Sequence, residues 1–241
     1  MTVAPALRAS ACLAVMPARN ETATVAEVVS GVRAALGCDV LLVDDASTDD
    51  TVAVAKAAGA TVLQLPLGLG AWGATQAGIR YAHRHGYAGV ISLDADGQHR
   101  PESLPSLFDA QARSGAHVVI GTCVGRLSRA KRMAWRYLRL LTGLDLHDLT
   151  SGLRLYDAEA VRTLSGPQAS LLDYQDIGVL MLLTRRGLHI VEQTVPMQER
   201  TVGHSRVFAS WFVVMRYMVN TTVLCLAQLD TPKPNKARAS A

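Results

Sequence analysis

Along the first half of the chain, short apolar runs alternate with stretches of helical periodicity. The runs near residues 12–17, 38–44, 60–64, 88–94 and 116–121 are short and almost free of polar residues, which reads as buried strands. Between them, apolar positions recur at helical spacing over about 22–36, 49–58, 72–85 and 101–113. Strand and helix in regular alternation predict a mostly parallel sheet covered by helices on both faces. Farther along, a strand is expected at Ile190–Pro196 and a long helix over Val207–Leu229. In sheets of this kind, ligands bind beyond the carboxyl ends of the strands, where the topology switches.

Composition sets the size of the problem. A chain of 241 residues, 49% hydrophobic, can bury a full core and is most simply one domain, expected over residues 1–229. The Pro-, Lys- and Ala-rich stretch 230–241 reads as a disordered basic tail. The opening residues are Ala-rich without a basic start and read as a short arm and first strand, not a signal peptide. Cys12, Cys38, Cys123 and Cys225 show no paired spacing, which argues against a zinc site or a disulfide framework and for a reducing cytoplasm. The net charge of +4 is mild, and no internal repeat is visible.

The chemistry gathers at the strand ends. Val90-Ile-Ser-Leu-Asp94-Ala95-Asp96-Gly-Gln98-His99 closes an apolar run with two carboxylates one residue apart. Converging carboxylates repel unless a cation lies between them, and a hard divalent ion held by few protein oxygens completes its shell with water and phosphate. That is the chemistry of a nucleoside diphosphate site. Asp-x-Asp by itself is also ordinary turn chemistry. Val15-Met-Pro17-Ala18-Arg19-Asn20-Glu21 follows the first run, and Val40-Leu-Leu-Val-Asp44-Asp45-Ala-Ser47-Thr-Asp49-Asp50-Thr51 repeats the arrangement after the second.

Together these segments resemble the inverting family 2 glycosyltransferases, and most of all the polyprenyl-phosphate (dolichyl-phosphate) sugar transferases. Asp148-Leu-Thr150-Ser151-Gly152-Leu-Arg154 and Arg200-Thr-Val-Gly203-His-Ser205-Arg206 resemble further motifs of that subgroup, so the likeness runs in order from about residue 12 to 228. It implies a GT-A (Rossmann-like) α/β fold, with a mostly parallel central sheet flanked by helices and a C-terminal amphipathic helix. It also implies metal-dependent, inverting transfer from a nucleoside-diphosphate sugar to an acceptor.

The resemblance assigns roles as well. Asp94, Asp96 and Gln98 would ligate Mg2+ or Mn2+ bridging the donor phosphates, with Ala95 between them. Pro17, Ala18, Asn20, Glu21, Asp44 and Asp45 would line the nucleoside pocket, Gly70 would lie beside the donor, and Arg200 and Arg206 would fold over the diphosphate. For Glu21 and Asp45 the alternative is helix N-terminal charge. For Ser47 and Asp49 capping is the better reading, and Trp72 suits the core as well as a stacking surface.

The acceptor is harder to read. From Arg126 to Arg139 six cations occur with no acid between them, on an amphipathic pattern. The bland reading is a solvated face; the alternatives are an acceptor phosphate or an anionic bilayer at about 1 kcal/mol per cation. Nucleic acid is disfavoured, because no reading helix or stacking platform accompanies the patch. Polyprenyl-phosphate transferases commonly carry Gly-Ser-Arg after the strand near 121, whereas this chain has Gly121-Thr122-Cys123. Asp148 and Arg154 flank Thr150-Ser151-Gly152, which the match makes a loop closing over the reaction centre. Asp173-Tyr-Gln-Asp176 resembles an acidic motif of the relatives. A hydroxyl acceptor needs a base, for which Asp148 and then Asp176 are candidates; a lipid phosphate needs none, and both acids would then position arginines.

Val207–Leu229 nearly reaches spanning length, yet Arg216 at its centre costs about 2.5–3.5 kcal/mol on insertion scales. An interfacial or partner-docking helix, the latter including a homo-oligomer contact, is expected instead, ahead of a packed core helix. The expected location is the cytoplasm, peripheral on the inner face of the membrane or held there by a membrane partner. The acceptor is expected to be polyprenyl phosphate; the alternatives are a hydroxyl of a soluble small molecule or glycan, and a sugar-nucleotide-binding subunit without turnover.

Overall fold

The computed structural model describes residues 4–123, 146, 151–172, 177–198 and 222. Within them seven strands form a single sheet: β1 (Cys12–Ala18), β2 (Asp39–Asp44), β3 (Thr61–Gln64), β4 (Gly89–Ser92), β5 (Val118–Thr122), β6 (Arg154–Asp157) and β7 (Ile190–Thr194). Their spatial order is β3-β2-β1-β4-β6-β5-β7. All pairings are parallel except those of β6, which runs antiparallel between β4 and β5. The expected α/β sheet is therefore present, with β6 as an added central strand. Sequence reading had made its first residue, Arg154, part of a loop.

The helices are α1 (Val25–Leu36), α2 (Thr51–Ala57), α3 (Gly70–Arg84), α4 (Pro105–Ser114), α5 (Ala158–Ser165) and α6 (Ile177–Arg185). The strands of a sheet covered on both faces must be apolar on both, and β1 is. Its Leu13 and Val15 enter one core cluster with Leu41, Val43, Ile79 and Leu180, under α3 and α6. Its Cys12, Ala14 and Met16 enter the other with Val28, Val32, Leu42 and Leu107, under α1 and α4. The period of two along the strand thus supplies two cores at once.

Helix α3 lies unusually close to the sheet. A Cβ placed on Gly78 would collide with Val15, with Val43 3.2 Å away, so the glycine lets the helix backbone reach the strands. The same helix is tied to the segment after β6: Trp72 Nε1 donates to Ala169 O at 2.9 Å and Gln76 Nε2 to Leu164 O at 3.0 Å. Trp72 is buried, so of its two readings the core one holds. The opening arm packs on α4, where Leu7 N–H donates to Gln111 Oε1 and Gln111 Nε2 donates to Pro5 O, each at 3.0 Å.

Among the described residues no helix is long and apolar enough to cross a membrane. The basic segment 126–139, the helix expected over Val207–Leu229 and the tail from 230 lie outside the described residues, apart from Thr222.

Candidate active site

Parallel register brings the acidic strand ends together. Ala18 pairs with Asp44 across β1 and β2, and Val15 pairs with Ser92 across β1 and β4. Pro17, Ala18, Asp44, Asp94 and Asp96 therefore emerge on one edge of three adjacent strands, although they lie far apart in the chain. Beyond β1 and β2 the sheet order reverses direction along the chain, from β3-β2-β1 to β4, which is the switch point at which ligands bind.

The loop after β4 has a built shape. Asp94, Asp96 and Gln98 are half-buried, and Ala95 and His99 are buried. Asp96 Oδ1 accepts the N–H of Gln98 at 3.0 Å, and Gly97 sits between them at φ +75°, a turn that few other residues could make. Thr24 Oγ1, at the start of α1, donates to Ala95 O at 2.7 Å. On the other side Gln98 O accepts from Gln198 N at 2.9 Å, and His99 bridges to Met197. The carboxylate-bearing loop is thus fastened to α1 on one flank and to the segment after β7 on the other. The Asp94 carboxylate lies over Gly152: a Cβ there would stand 2.8 Å from Oδ2.

The loops after β1 and β2 are laced to each other. Asn20, at φ +56°, donates its N–H to Ser47 Oγ at 3.0 Å, and its Oδ1 accepts from Thr48 N at 2.8 Å. Glu21 N donates to Thr51 Oγ1 at 2.8 Å. Asp44 is 3% exposed and accepts from Ser47 N at 3.1 Å. Asp49 accepts from Thr51 N at 3.1 Å, the capping expected of it, and also from Thr22 N at 3.4 Å. Burial alone would raise the Asp49 carboxyl; the hydrogen bonds from Thr22 and Thr51 outweigh it and bring it down to about 2.

Asp45 is 5% exposed, and both its oxygens are engaged: Leu69 N donates to Oδ1 at 2.5 Å and Gly70 N to Oδ2 at 3.1 Å. These N–H groups open α3, so the Asp45 carboxylate sits at a helix N-terminus. The Gly70 N–H that could have faced a donor phosphate is the one Asp45 takes.

Arg154 is fully buried at the head of β6, and its Nε donates to Ser151 O at 3.0 Å. It sits in the sheet beneath the site, not in a loop above it. Asp148, Asp176, Arg200 and Arg206 lie outside the described residues. Three contributors escaped sequence reading: Thr24, Ser92 and the role of Gly152 toward Asp94. Ser92 Oγ donates to Gly152 O at 2.9 Å. The β4–β6 ladder connects Ser92 with the segment of Gly152, Thr24 reaches the site through Ala95 O, and nothing in local pattern announces either.

The donor set suits a hard divalent cation. Asp94 and Asp96 offer carboxylate oxygens at a half-buried turn, and Gln98 adjoins them. Among the described residues no group of three or more His, Cys, Asp and Glu side chains could hold a metal, so an ion here would depend on ligand phosphate and water for the rest of its shell.

Residues 13–169 match the family model for "Glycosyl transferase family 2". The chain belongs to that family. It is 32% identical over 227 residues to the undecaprenyl-phosphate mannosyltransferase of Micrococcus luteus, covering 87% of this chain and 92% of the relative. To the polyprenol monophosphomannose synthase of Mycolicibacterium smegmatis it is 30% identical over 230 residues, covering 87% and 84%. Among solved structures, the glucosyl-3-phosphoglycerate synthase of Mycobacterium tuberculosis in complex with phosphoglyceric acid superposes with a TM-score of 0.67 at 22% identity, over 92% of this chain and 80% of that one. The likeness of fold thus extends beyond the matched segment to β7.

Proposed function

We propose that this family 2 glycosyltransferase moves a sugar from a nucleoside-diphosphate sugar to a polyprenyl phosphate, with inversion at the anomeric carbon. One observation carries the reading: the acidic ends of β1, β2 and β4 meet at a single edge of the sheet. The relatives named for undecaprenyl-phosphate and polyprenol chemistry support the acceptor class.

Asp94 and Asp96, with Gln98 beside them, would hold a Mg2+ or Mn2+ ion, which when bound supplies charge neutralisation for the departing diphosphate. Asp44 and Glu21 would accept from ribose hydroxyls or base N–H groups. Pro17, Ala18 and Asn20 shape that wall, and Asp45 holds the start of α3 in place beside it. Arg200 and Arg206 would cover the diphosphate once the donor is seated. A lipid phosphate is already ionised and attacks without a base; Asp148 and Asp176 would then orient cations, and Arg154 supports the floor of the site. A second reading, a hydroxyl acceptor, is favoured by Gly121-Thr122-Cys123, which places no arginine where polyprenyl-phosphate transferases carry one. In that case Asp148 would serve as the base. The inner face of the membrane is the setting the lipid acceptor calls for.

Thermal unfolding with UDP, GDP, dTDP and CDP, each with and without Mn2+, tests the donor site. At about 100 times its dissociation constant, the right nucleotide adds about 2.7 kcal/mol, and only when Mn2+ is present. No gain with any of the four overturns the reading. Product formation with polyprenyl phosphate, against a panel of hydroxyl acceptors, then separates the two acceptor classes.

A further inference from the structure

Gly152, in the turn just before β6, lies against the Asp94 carboxylate. Register places it across from Asp94. Ser92 pairs with Arg154 in the antiparallel β4–β6 ladder, and two steps further along each chain Asp94 comes opposite Gly152. A Cβ on Gly152 would stand 2.8 Å from Asp94 Oδ2, 3.1 Å from Oδ1 and 3.2 Å from Cγ. Gly152 is absent from the residues with positive φ, so its backbone suits any residue. What the position requires is room for a carboxylate.

The Gly152 side of this contact is not free to retreat. Ser92 Oγ donates to Gly152 O at 2.9 Å, tying Gly152 to the end of β4. Ser151 Oγ donates to Gly121 O at 2.5 Å, tying the preceding residue to β5. Arg154 Nε donates to Ser151 O at 3.0 Å and stiffens the turn from within. The Asp94 carboxylate is the group on which a methyl introduced at 152 would press.

We propose that Gly152 is a positioning residue: its bare Cα is the seat that sets the direction of the Asp94 carboxylate, and Ser92 and Ser151 hold that seat at fixed height. Through Asp94 it sets the affinity for the divalent cation. The inference rests on the reading of Asp94 and Asp96 as cation ligands.

The test is Gly152→Ala in the full-length protein, with Mn2+ binding followed by electron paramagnetic resonance in the presence of the nucleotide that stabilises the wild type. Displacing a ligand's support weakens metal affinity by about 10- to 100-fold, and that range is expected here. The unfolding temperature of the ligand-free protein stays at its wild-type value, which general damage to the fold would not allow. Ser92→Ala, which releases the seat without filling it, is expected to weaken Mn2+ binding in the same direction by less. Wild-type Mn2+ affinity in Gly152→Ala overturns the inference alone. Failure of the wild type to bind Mn2+ with any of the four nucleotides overturns the functional reading and this inference with it.

Discussion

Asn20 and Ala46 hold φ values of +56° and +59°, in a region that residues other than glycine seldom occupy. Both stand in the loops that follow β1 and β2, where the nucleoside wall is proposed. Such conformations persist only where neighbours over-determine them, and here the lacing of Asn20 to Ser47 and Thr48 does so. Asp49 closes the same lacing from the far side. Its folded value near 2 lies below its ordinary 3.8, so the stability it contributes is in full force above about pH 4 and fades as pH falls toward 2. The unfolding midpoint of wild type should therefore exceed that of Asp49→Asn by a constant amount at neutral pH, with the gap closing in acid. A gap that does not change with pH would show that the carboxylate charge is not what Thr22 and Thr51 hold. Sequence announced hydroxyls and acids suited to capping at Ser47 and Asp49. It could not announce that their partners at Asn20 and Thr22 lie across 27 residues, because nothing local encodes contacts between loops.

The same difference between local and distant information recurs among the elements. β1, β2, β4 and β5 were legible because each buries both faces and so reads as an apolar run, and the half-buried edge strand β3 still carries Val62 and Leu63 between its polar ends. β6 was not: its four residues begin with Arg154 and end with Asp157, leaving Leu155 and Tyr156 as its only apolar members. A buried arginine and an acid that caps α5 through Ala160 N at 2.8 Å disguise a central strand as a polar loop. The three strand-end acid motifs of the site were legible for the opposite reason, since each stands immediately after a run that could hardly be anything else. Gly78 offers a measurement at this scale. Alanine there would press α3 against Val15 and Val43, two β-branched side chains with no room to yield. Overpacking of this kind costs about 1–3 kcal/mol, read as a lower denaturant midpoint at unchanged slope. A midpoint equal to wild type would mean that helix and sheet can separate without loss.

Across the whole molecule, the family match ends at residue 169, while the sheet continues to β7 and the loop of Asp96 takes partners from Met197 and Gln198. A chain ended at residue 169 would leave β5, buried along its whole length in the full sheet, as a bare edge and remove α6 from its core. Calorimetry of that fragment should find no cooperative transition, whereas a sharp one would make the matched segment an independent unit. The placing of β6 has a consequence for biosynthesis. β3, β2, β1 and β4 can assemble in the order in which they leave the ribosome, but β5 emerges before the strand that must lie between it and β4. Until residues 152–157 follow, β4 is an open margin, β5 has no place on it, and Asp94 has no surface to rest against. The nascent protein therefore carries a half-sheet with a live edge through more than sixty residues of translation (from Ser92 to Arg154), and the corner where a cation is proposed is finished late, by the strand that heals that edge.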